Sequence, residues 1–509
     1  MTTHPKSWHE VTREVTAISR EDGAPTMDGP IVTSIEYDSR RVIPGSIFVA
    51  MRGGTTDGNR FLATALKQGV AGIITDSPEA YAALPATTPR LLAEYGRKAL
   101  AEASSAFFSH PEKKLHSTGV TGTNGKTTTA FLVESLLNAA ARKTVLVGTI
   151  EYHVAGETRP SAHTTPESRD LFELMAEGAS LGATELVIEV SSHALDQGRV
   201  EGIGFDTAVF TNLTRDHLDY HITMEAYFAA KKLLFDGARY PAPRVAVFYA
   251  ADPLTPQLAA AAKAAGSEVV TYGTAPTADW HAENIRLTPA GAKFHLATPY
   301  GRAQIHSSLA GEVNILNLLA ALASAHARGI PLEDLISSVP TLHPVPGRFQ
   351  PVNAGQPFTV IVDYAHTDDA LRNLTTLARQ LAPKPARILT LFGCGGDRDR
   401  TKRPRMGQAA GEASDFVIVT SDNPRSEAPL AIIREILPGI QATCVRYAVQ
   451  PDRATAIELA LAEANPGDVV LIAGKGHEKQ QILHNGPIFF DDAQVALSAL
   501  NRLGYGEGQ

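Results

Sequence analysis

The chain has 509 residues, of which 44% are hydrophobic and 20% charged, and its formal net charge at pH 7 is −8. This length suggests three domains, because a typical domain has about 100–200 residues. The composition excludes a disordered chain, and the acidic balance without a long Lys/Arg run argues against nucleic acid as a partner.

Cysteine usage and hydropathy bear on the compartment. Two cysteines, Cys394 and Cys444, occur in the sequence. They predict neither a disulfide framework nor a CxxC metal site, which is typical of a reducing compartment, and we expect both to be buried small side chains. The N-terminus is polar, and no apolar run approaches the roughly 18 residues that cross a membrane. We therefore expect a cytoplasmic enzyme without a transmembrane segment, and a monomer.

Predicted strands and helices divide the chain into three α/β domains, expected at residues 1–111, 112–342 and 343–509. Continuous apolar runs in the second and third domains are typical of parallel strands covered on both faces. The hinge HPVPG, residues 343–347, cannot continue a helix and should let the third domain close on its ligands. The predicted strands lie at 31–37, 46–51 and 71–75; at 144–150, 186–190, 208–212, 245–249 and within 285–306; and at 360–363, 388–392, 416–420 and 469–473.

The sequence TGTNGKTTT, residues 121–129, has the setting of a phosphate-binding loop. The apolar run at 115–120 predicts a buried strand before it, and apolar residues at helical spacing predict a helix over 130–141 after it. Strand, glycine loop and helix in this order are the context that the motif requires.

Single residues of this loop have separate expected tasks. Gly122 and Gly125 let the backbone turn so that N–H groups and the helix N-terminus face an anion. Lys126 would lie beside the terminal phosphates, and the Thr127 hydroxyl would bind Mg²⁺. The strict pattern has a glycine where Val120 stands. We interpret the loop as a shortened variant that binds ATP.

Polar residues follow predicted strands of the second domain, where ligands of parallel sheets bind. Glu189 ends one strand in VIEVSSHAL, NLTRDH ends another, and HTTP lies in a loop after residue 150. With Thr127, the oxygen ligands of Glu189 suit Mg²⁺, and His217 could complete the shell. Each is ambiguous alone, because a strand-ending glutamate can be merely solvated and a lone histidine is more often structural.

Cationic residues of the third domain suggest an acidic substrate. Arg398 lies in the glycine-rich turn GCGGDRDRTKRP, and Arg425 ends DNPR after a strand. A guanidinium group matches a carboxylate in geometry, so both could clamp a small acid, although a salt-bridged surface loop explains them equally well. Lys231, in AYFAAKKLLFD, cannot be distinguished by sequence from a solvated lysine such as Lys232. In the first domain, DSR and the polar loop 52–59 would suit a phosphorylated or sugar-bearing ligand.

Together these motifs resemble the ATP-dependent Mur ligases of bacterial cell-wall synthesis, and in particular the MurE type. The resemblance covers nearly the whole chain. It is carried, in the family's order, by TGTNGKTTT, HTTPES, IEVSSHALDQGRV, TNLTRDHLDYH, AYFAAKKLLF, PGRFQ, VDYAHT, GCGGDRDRTKRP, SDNPRSE and AGKGHE.

The resemblance implies a fold and a reaction. The fold is a small N-terminal UDP-sugar-binding α/β domain, a central P-loop ATPase-like parallel sheet with a small appended sheet, and a C-terminal Rossmann-like domain that binds an amino acid. The reaction joins meso-diaminopimelate to the D-Glu of UDP-N-acetylmuramoyl-L-alanyl-D-glutamate through an acyl phosphate, with ATP and Mg²⁺, in peptidoglycan synthesis.

The resemblance also implies roles for the residues that match family motifs. The catalytic and metal-binding residues would be Lys126, Thr127, Glu189, His217 and Lys231, with Lys231 carbamylated into a carboxylate-like ligand. The ATP-binding residues would be Gly122, Thr123, Asn124, Gly125, Lys126, Thr127, Thr128, Asn314, Arg348 and Asp363. The UDP-sugar peptide would contact Ser39, Thr164, Thr165, Ser191, Gln197 and Arg199, and the amino acid would contact Arg398, Asp422, Asn423, Pro424, Arg425, Gly474 and Glu478.

Alternatives concern the amino acid and the class of protein. Family members that add meso-diaminopimelate carry DNPR, whose arginine can clamp the second carboxylate that L-lysine lacks. Ligation of L-lysine, a folylpolyglutamate-synthetase-like ligase and a non-catalytic nucleotide switch remain as alternatives. The sequence departs from many members at His163 and Asp368, and residues 52–56 lack the polar pattern of some members, so no substrate contact is assigned there.

Overall fold

The structure is a computed structural model that describes residues 5–22, 29–53, 56–288, 291–382 and 385–506. The polar loop expected at residues 52–59 therefore lies partly outside the described residues, as do the ends of the first and third expected domains. The described chain contains three main β-sheets, one for each of the three expected domains.

The N-terminal segment forms a five-stranded sheet in the order β2-β7-β6-β5-β4, in which β4 to β7 are parallel and β2 is antiparallel to β7. A two-stranded ladder, β1-β3, lies beside it. The strands are β1 (Lys6–Ser7), β2 (Ser19–Glu21), β3 (Ile31–Val32), β4 (Ser34–Glu36), β5 (Ser46–Ala50), β6 (Gly72–Thr75) and β7 (Arg90–Leu92). The α-helices are α1 (Trp8–Thr12), α2 (Leu62–Lys67), α3 (Pro78–Ala83) and α4 (Gly96–Phe107).

The central segment forms an eleven-stranded sheet in the order β11-β10-β9-β12-β8-β13-β14-β15-β16-β17-β18. Its strands are β8 (His116–Thr121), β9 (Thr144–Val147), β10 (Glu151–Val154), β11 (Glu157–Pro160), β12 (Glu185–Glu189), β13 (Thr207–Phe210), β14 (Val245–Tyr249), β15 (Glu268–Gly273), β16 (Trp280–Thr288), β17 (Gly291–Thr298) and β18 (Gly301–Ser307). Its helices are α5 (Lys126–Ala139), α6 (Ser168–Ser180), α7 (Ser192–Gln197), α8 (Leu218–His221), α9 (Met224–Lys232), α10 (Thr255–Ala264), α11 (Glu312–Ala327) and α12 (Leu332–Ser338).

The parallel part of this sheet runs from β9 to β16, with hydrophobic clusters on both faces. The chain leaves β8 for β9 on one side and later returns to β13 on the other. Ligands of open parallel sheets bind at such a switch point, so the loop after β8 occupies the expected position. The predicted appended sheet is β16 to β18, and it continues the main sheet because Trp280 pairs with Tyr272 of β15.

The strand expected at 144–150 ends earlier than predicted. β9 stops at Val147, and the antiparallel hairpin β10-β11 follows it at the sheet edge. The sequence analysis placed only a loop there. Polar and charged side chains occupy this edge, so its sequence lacks the apolar run that identified the buried strands.

The C-terminal segment forms a six-stranded sheet in the order β19-β20-β24-β21-β22-β23, parallel from β20 to β23, and a separate hairpin, β25-β26. Its strands are β19 (Gln350–Pro351), β20 (Thr359–Asp363), β21 (Ile388–Phe392), β22 (Phe416–Val419), β23 (Arg446–Val449), β24 (Val469–Ala473), β25 (Gln480–Leu483) and β26 (Gly486–Phe489). Its helices are α13 (Asp368–Leu381), α14 (Lys402–Ala413), α15 (Pro429–Gln441), α16 (Arg453–Glu463) and α17 (Asp492–Arg502).

Two further expectations can be compared with the structure. Cys394 is buried, as expected, but Cys444 is exposed in the turn after α15, so the expectation of two buried cysteines was wrong for Cys444. Among the described residues, no helix is both long and apolar enough to cross a membrane.

Candidate active site

The phosphate loop lies between β8 and α5, as the sequence predicted. Gly125 caps α5 with φ 87°, and Gly122 has φ 144°, where a Cβ atom would lie 1.9 Å from Thr211 Oγ1. Both conformations and the close approach favour glycine. The Lys126 ammonium group donates to the backbone carbonyls of Gly122 at 2.9 Å and Thr123 at 2.8 Å. The lysine is therefore folded back over the loop that it would serve.

The loop is held in place by residues that follow β13. The Asn212 carboxamide accepts from the Asn124 backbone N–H at 2.9 Å and donates to the Asn124 carbonyl at 3.0 Å. Thr211 Oγ1 donates to the same carbonyl at 2.6 Å, and the Thr123 hydroxyl lies 3.1 Å from the Tyr227 hydroxyl. These contacts fix the conformation of the loop.

Glu189 and Thr127 meet at the end of the sheet, as expected. Glu189 is fully buried, and its carboxylate accepts from the Thr127 hydroxyl at 2.9 Å. It also accepts from the Thr149 backbone N–H at 2.7 Å and the Thr149 hydroxyl at 3.0 Å. The sequence analysis missed Thr149, which follows β9 after Gly148, at the edge where polar residues of neighbouring strands meet.

Lys231 lies on α9, and its side chain is 1% exposed, so it is not a solvated lysine. Its Nζ donates to the Gly122 carbonyl at 2.9 Å and lies 4.8 Å from the centre of the Tyr227 ring. Burial, and then the charge of nearby Lys126, hold the pKa of Lys231 well below its ordinary value. These surroundings favour a neutral amine. The structure therefore excludes the interpretation of Lys231 as a solvated surface lysine.

His217 precedes α8 with φ 53° and is half-buried. Its ring packs edge-to-face on His193, with centroids 4.8 Å apart, and lies 5.9 Å from the ring of Tyr227. Its Nε2 lies 3.4 Å from Asp216. Burial lowers the pKa of His217, which favours the neutral imidazole that a metal ligand requires. His217 thus lies near the loop, but its recorded contacts do not include Glu189 or Thr127.

The donor set at Glu189 fits Mg²⁺. The buried carboxylate and the Thr127 hydroxyl are both oxygen donors, and Mg²⁺ in nucleotide sites is bound by one or two carboxylates together with phosphates and water. Within the described ranges, no group of three or more His, Cys, Asp or Glu side chains is arranged to hold a metal by itself. A metal here would therefore depend on the oxygens of a bound nucleotide.

A small cavity of about 140 Å³ separates the phosphate loop from the third domain. Arg348 donates to the Thr127 hydroxyl at 3.3 Å, and its buried Nε has no hydrogen-bond partner among the described residues. The Asp363 carboxylate accepts from the backbone N–H groups of Phe349 and Ala365 at 2.7 and 2.8 Å. The predicted ATP-binding residues that line this cavity are Asn124, Gly125, Thr127, Thr128, Asn314, Arg348 and Asp363.

Most residues predicted to bind the UDP-sugar peptide form one network. The Thr164 hydroxyl lies 3.0 Å from the Thr149 hydroxyl, and Thr165 Oγ1 donates to the Glu189 carbonyl at 2.8 Å. The Ser191 N–H donates to Thr165 Oγ1 at 3.1 Å, and the Arg199 guanidinium donates to the Thr165 carbonyl and to Gln197 Oε1.

Ser39 lies apart from this network, in the loop after β4. The adjacent Tyr37 hydroxyl donates to Asp170 of α6 at 2.6 Å, which anchors this loop of the first domain on the central domain. Two residues of the first domain that the sequence analysis missed also reach the central domain. The Tyr95 hydroxyl donates to the Gln197 carbonyl at 2.7 Å, and Arg97 pairs with Glu167 at 3.3 Å.

A larger cavity of about 490 Å³ lies between the central and third domains, extending from His217 to Arg425; we call it the acceptor cavity. Its lining includes the predicted amino-acid-binding residues Arg398, Asp422, Asn423, Arg425, Gly474 and Glu478. The described lining does not include the predicted residue Pro424, whose carbonyl oxygen lies so near Gly396 that a Cβ atom there would be 1.9 Å from it. The structure thus brings together residues that are about 80 positions apart.

The side chains of this cavity carry both signs of charge. One Arg425 nitrogen donates to the Gly396 carbonyl at 2.8 Å, which orients the guanidinium group. Asn423 donates to Glu478 at 2.8 Å, and Asp422 is almost fully buried beside Gly474. Separate cationic and anionic ends suit a ligand that carries both a carboxylate and an ammonium group.

Comparison with protein-family models assigns all three parts of the chain. The model described as Mur ligase family, catalytic domain, matches residues 31–108, the Mur ligase middle domain matches 120–325, and the Mur ligase, glutamate ligase domain, matches 347–476. The chain belongs to the Mur ligase family.

Individual relatives agree with this family assignment. A UDP-N-acetylmuramoyl-L-alanyl-D-glutamate–2,6-diaminopimelate ligase from Solibacter usitatus (strain Ellin6076) is 49% identical over 487 residues, which cover 96% of this chain and 97% of the relative. A solved structure with the same protein name is 32% identical, with a TM-score of 0.71, covering 98% of this chain and 100% of that one. Mycobacterium tuberculosis folylpolyglutamate synthase, solved with ADP and AMPPCP, is 19% identical with a TM-score of 0.58, covering 79% and 94%. The last likeness concerns the fold alone.

Proposed function

We propose that this Mur ligase joins meso-diaminopimelate to the D-Glu carboxylate of UDP-N-acetylmuramoyl-L-alanyl-D-glutamate, at the expense of ATP, in peptidoglycan synthesis. The relatives that match along almost their whole length carry the name of this ligase. The proposal assigns the three matched parts, in chain order, to the UDP-sugar peptide, ATP and the amino acid, with domain boundaries near residues 111 and 342.

One observation carries the proposal: the small cavity beside the phosphate loop, which would hold the nucleotide, shares a wall with the acceptor cavity. Tyr364 and His366 line both cavities, with the phosphate loop on one side and Arg425 on the other. An acyl phosphate must form beside the γ-phosphate and then be attacked by an amine. Because the two cavities are adjacent, the amine can attack the acyl phosphate where it forms, and the intermediate need not move between sites.

In the first step, the D-Glu carboxylate attacks the γ-phosphate of ATP and ADP leaves. Backbone N–H groups of the loop and the N-terminus of α5 face the phosphates, and Lys126 moves from its carbonyl partners to the phosphoryl oxygens. Arg348 lies beside Thr127, where its Nε, which has no partner within the described part of the chain, can donate to a phosphate oxygen. Glu189 and Thr127 would hold Mg²⁺, which when bound would neutralise negative charge on the phosphates.

In the second step, the amine of the amino acid attacks the acyl phosphate, and phosphate leaves from the tetrahedral intermediate. Arg425 and Arg398 bind carboxylates of the amino acid, while Glu478 and Asp422 face its distal ammonium group. L-Lysine would leave the Arg425 clamp without a carboxylate. This charge arrangement favours meso-diaminopimelate over L-lysine.

Lys231 is proposed to be carbamylated. Its buried, preferentially neutral amine can add to carbon dioxide and release a proton, which converts an amine beside the phosphate loop into a carboxylate. A carboxylate at this position would orient Mg²⁺ or a phosphate-bound water. His217 remains a proposed member of the same site.

We further propose that the protein acts in the cytoplasm.

The test is phosphate release by the purified protein with ATP, Mg²⁺ and UDP-N-acetylmuramoyl-L-alanyl-D-glutamate. Addition of meso-diaminopimelate should start turnover, while omission of either substrate should abolish it. Turnover with L-lysine alone would retain the ligase and contradict the role of Arg425. ATP hydrolysis that no amino acid stimulates would favour the nucleotide-switch alternative, and turnover with a folate and glutamate would favour the folate-type ligase.

A further inference from the structure

Lys475 follows β24 after Gly474, and its side chain has no exposed surface. Its ammonium group donates to Asn423 Oδ1 at 3.2 Å, to Glu478 Oε2 at 2.9 Å and to the Gln480 carbonyl at 2.6 Å. Three acceptors use all three N–H bonds of the ammonium group. Fully buried lysines are rare unless paired in this way. Lys475, Asn423 and Glu478 thus form a hydrogen-bonded group at the acceptor cavity, which we call the Lys475 frame.

The contacts of Lys475 determine the orientation of Asn423. Asn423 Oδ1 accepts from Lys475 and also from the Ile482 backbone N–H at 2.9 Å. Two donors on this oxygen identify it as the carbonyl end of the amide, so the NH₂ end must face the opposite way. There it donates to Glu478 Oε2 at 2.8 Å. Lys475 thus reaches Glu478 both directly and through Asn423.

The same contacts leave one oxygen of Glu478 for a ligand. Oε2 accepts from both Lys475 and Asn423, whereas Oε1 has no recorded hydrogen bond among the described residues. Glu478 and Asn423 line the acceptor cavity, and its described lining does not include Lys475. Lys475 therefore acts on a bound amino acid indirectly, and Asn423 and Glu478 are the lining residues that it contacts through hydrogen bonds.

We propose that Lys475 is a positioning residue that fixes Asn423 and Glu478 so that Glu478 Oε1 receives the distal ammonium group of the amino acid. The inference rests on the proposed function, which places the amino acid in this cavity. It adds a determinant of amino-acid affinity that does not itself touch the substrate. Arg425 binds the distal carboxylate, and the Lys475 frame sets the anionic partner of the neighbouring ammonium group.

A purely structural role predicts a different result. In that case Lys475 would only attach the Gln480 carbonyl, and with it the β25-β26 hairpin, to the end of β24. Its loss would lower the stability and the fraction of active protein. The KM values of all three substrates would then stay unchanged while kcat fell.

The test variant is Lys475→Met, which keeps the length of the side chain and removes its donors. We expect the KM for meso-diaminopimelate to rise about tenfold to a hundredfold, from the loss of hydrogen bonds to a carboxylate, while the KM for ATP changes less than about threefold. Lys479→Met is the matched control, because it removes an ammonium–carboxylate pair with Asp491 in the same segment and should leave this KM unchanged.

A double-mutant cycle with Glu478→Gln tests whether Lys475 acts through Glu478. In the Glu478→Gln background, Lys475→Met should change the KM for the amino acid much less than it does alone. Additive effects, or a fall in kcat with unchanged KM values, would overturn the inference. If Lys475→Met does not fold, Lys475→Gln, which keeps one donor group, is measured with the same criteria. Absence of turnover by the unaltered protein would overturn the proposed function and this inference together.

Discussion

His153 lies on β10, the second strand from one edge of the central sheet, and links this strand to α5, the helix that begins at the phosphate loop. Its Nδ1–H donates to Glu134 of α5 at 2.7 Å, and its Nε2–H donates to Glu151 at 3.0 Å. Burial alone would lower the pKa of His153, but the hydrogen bonds and charges of Glu134 and Glu151 outweigh it and raise the pKa from 6.5 to about 9.

The raised pKa means that protonated His153 stabilises the folded chain. A difference between 6.5 and about 9 corresponds to about 3.5 kcal/mol, at about 1.4 kcal/mol for each pKa unit, and solvent screening of the partly exposed Glu151 lowers the expected contribution to about 3 kcal/mol. Because the pKa is raised on folding, this stability is fully present below pH 6.5 and is lost as the pH rises through about 9. His153→Gln cannot be protonated, so it should lack this contribution at every pH.

Urea unfolding followed by circular dichroism measures the effect. Between pH 6 and pH 10, the unaltered protein should lose about 3 kcal/mol more of its unfolding free energy than His153→Gln loses. The difference between the two proteins isolates His153, since all other titrating groups are shared. Parallel pH profiles of the two proteins would refute the charged His153 bridge.

Two further substitutions test the metal site and a strained turn. Glu189→Gln keeps the shape of a fully buried side chain but removes its charge, so phosphate release should fall about a hundredfold or more and require more Mg²⁺; equal activity across a Mg²⁺ titration would contradict the metal role. Ile222 is β-branched, exposed and held at φ 67°, a conformation that costs about 1–3 kcal/mol. Ile222→Gly should therefore unfold at a higher temperature than Ile222→Ala, which loses the same contacts but keeps Cβ, and equal melting temperatures would exclude strain at this position.

The sequence predicted best those strands that are buried on both faces. The predicted bounds of 245–249, 388–392 and 469–473 agree with β14, β21 and β24, because a uniform apolar run has one physical explanation in an α/β chain. The hairpin β10-β11 was missed since its side chains form ion pairs at an edge. His153 and Arg159 acquire partners only once the chain has folded.

Some residues of the candidate site could be predicted from the sequence, and others could not. The phosphate loop could be predicted because its glycines, lysine and flanking elements are contiguous in sequence. Thr149 was missed because the strand was expected to extend to residue 150, whereas β9 ends at Val147 and places Thr149 in the loop that contacts Glu189. Lys475 was passed over inside AGKGHE, since its burial and its contact with Asn423, 52 positions away, are visible only in three dimensions. The family resemblance indicated that Lys231 is not an ordinary surface lysine, and the structure then showed that its side chain is buried.

The acceptor cavity is proposed to select an amino acid with a second carboxylate. The direct measurement is a competition in which the protein receives ATP, Mg²⁺, UDP-N-acetylmuramoyl-L-alanyl-D-glutamate and equal concentrations of meso-diaminopimelate and L-lysine, with the products separated by mass. We expect almost exclusively the diaminopimelate product, and loss of that preference in Arg425→Leu. A lysine product in excess from the unaltered protein would contradict the account.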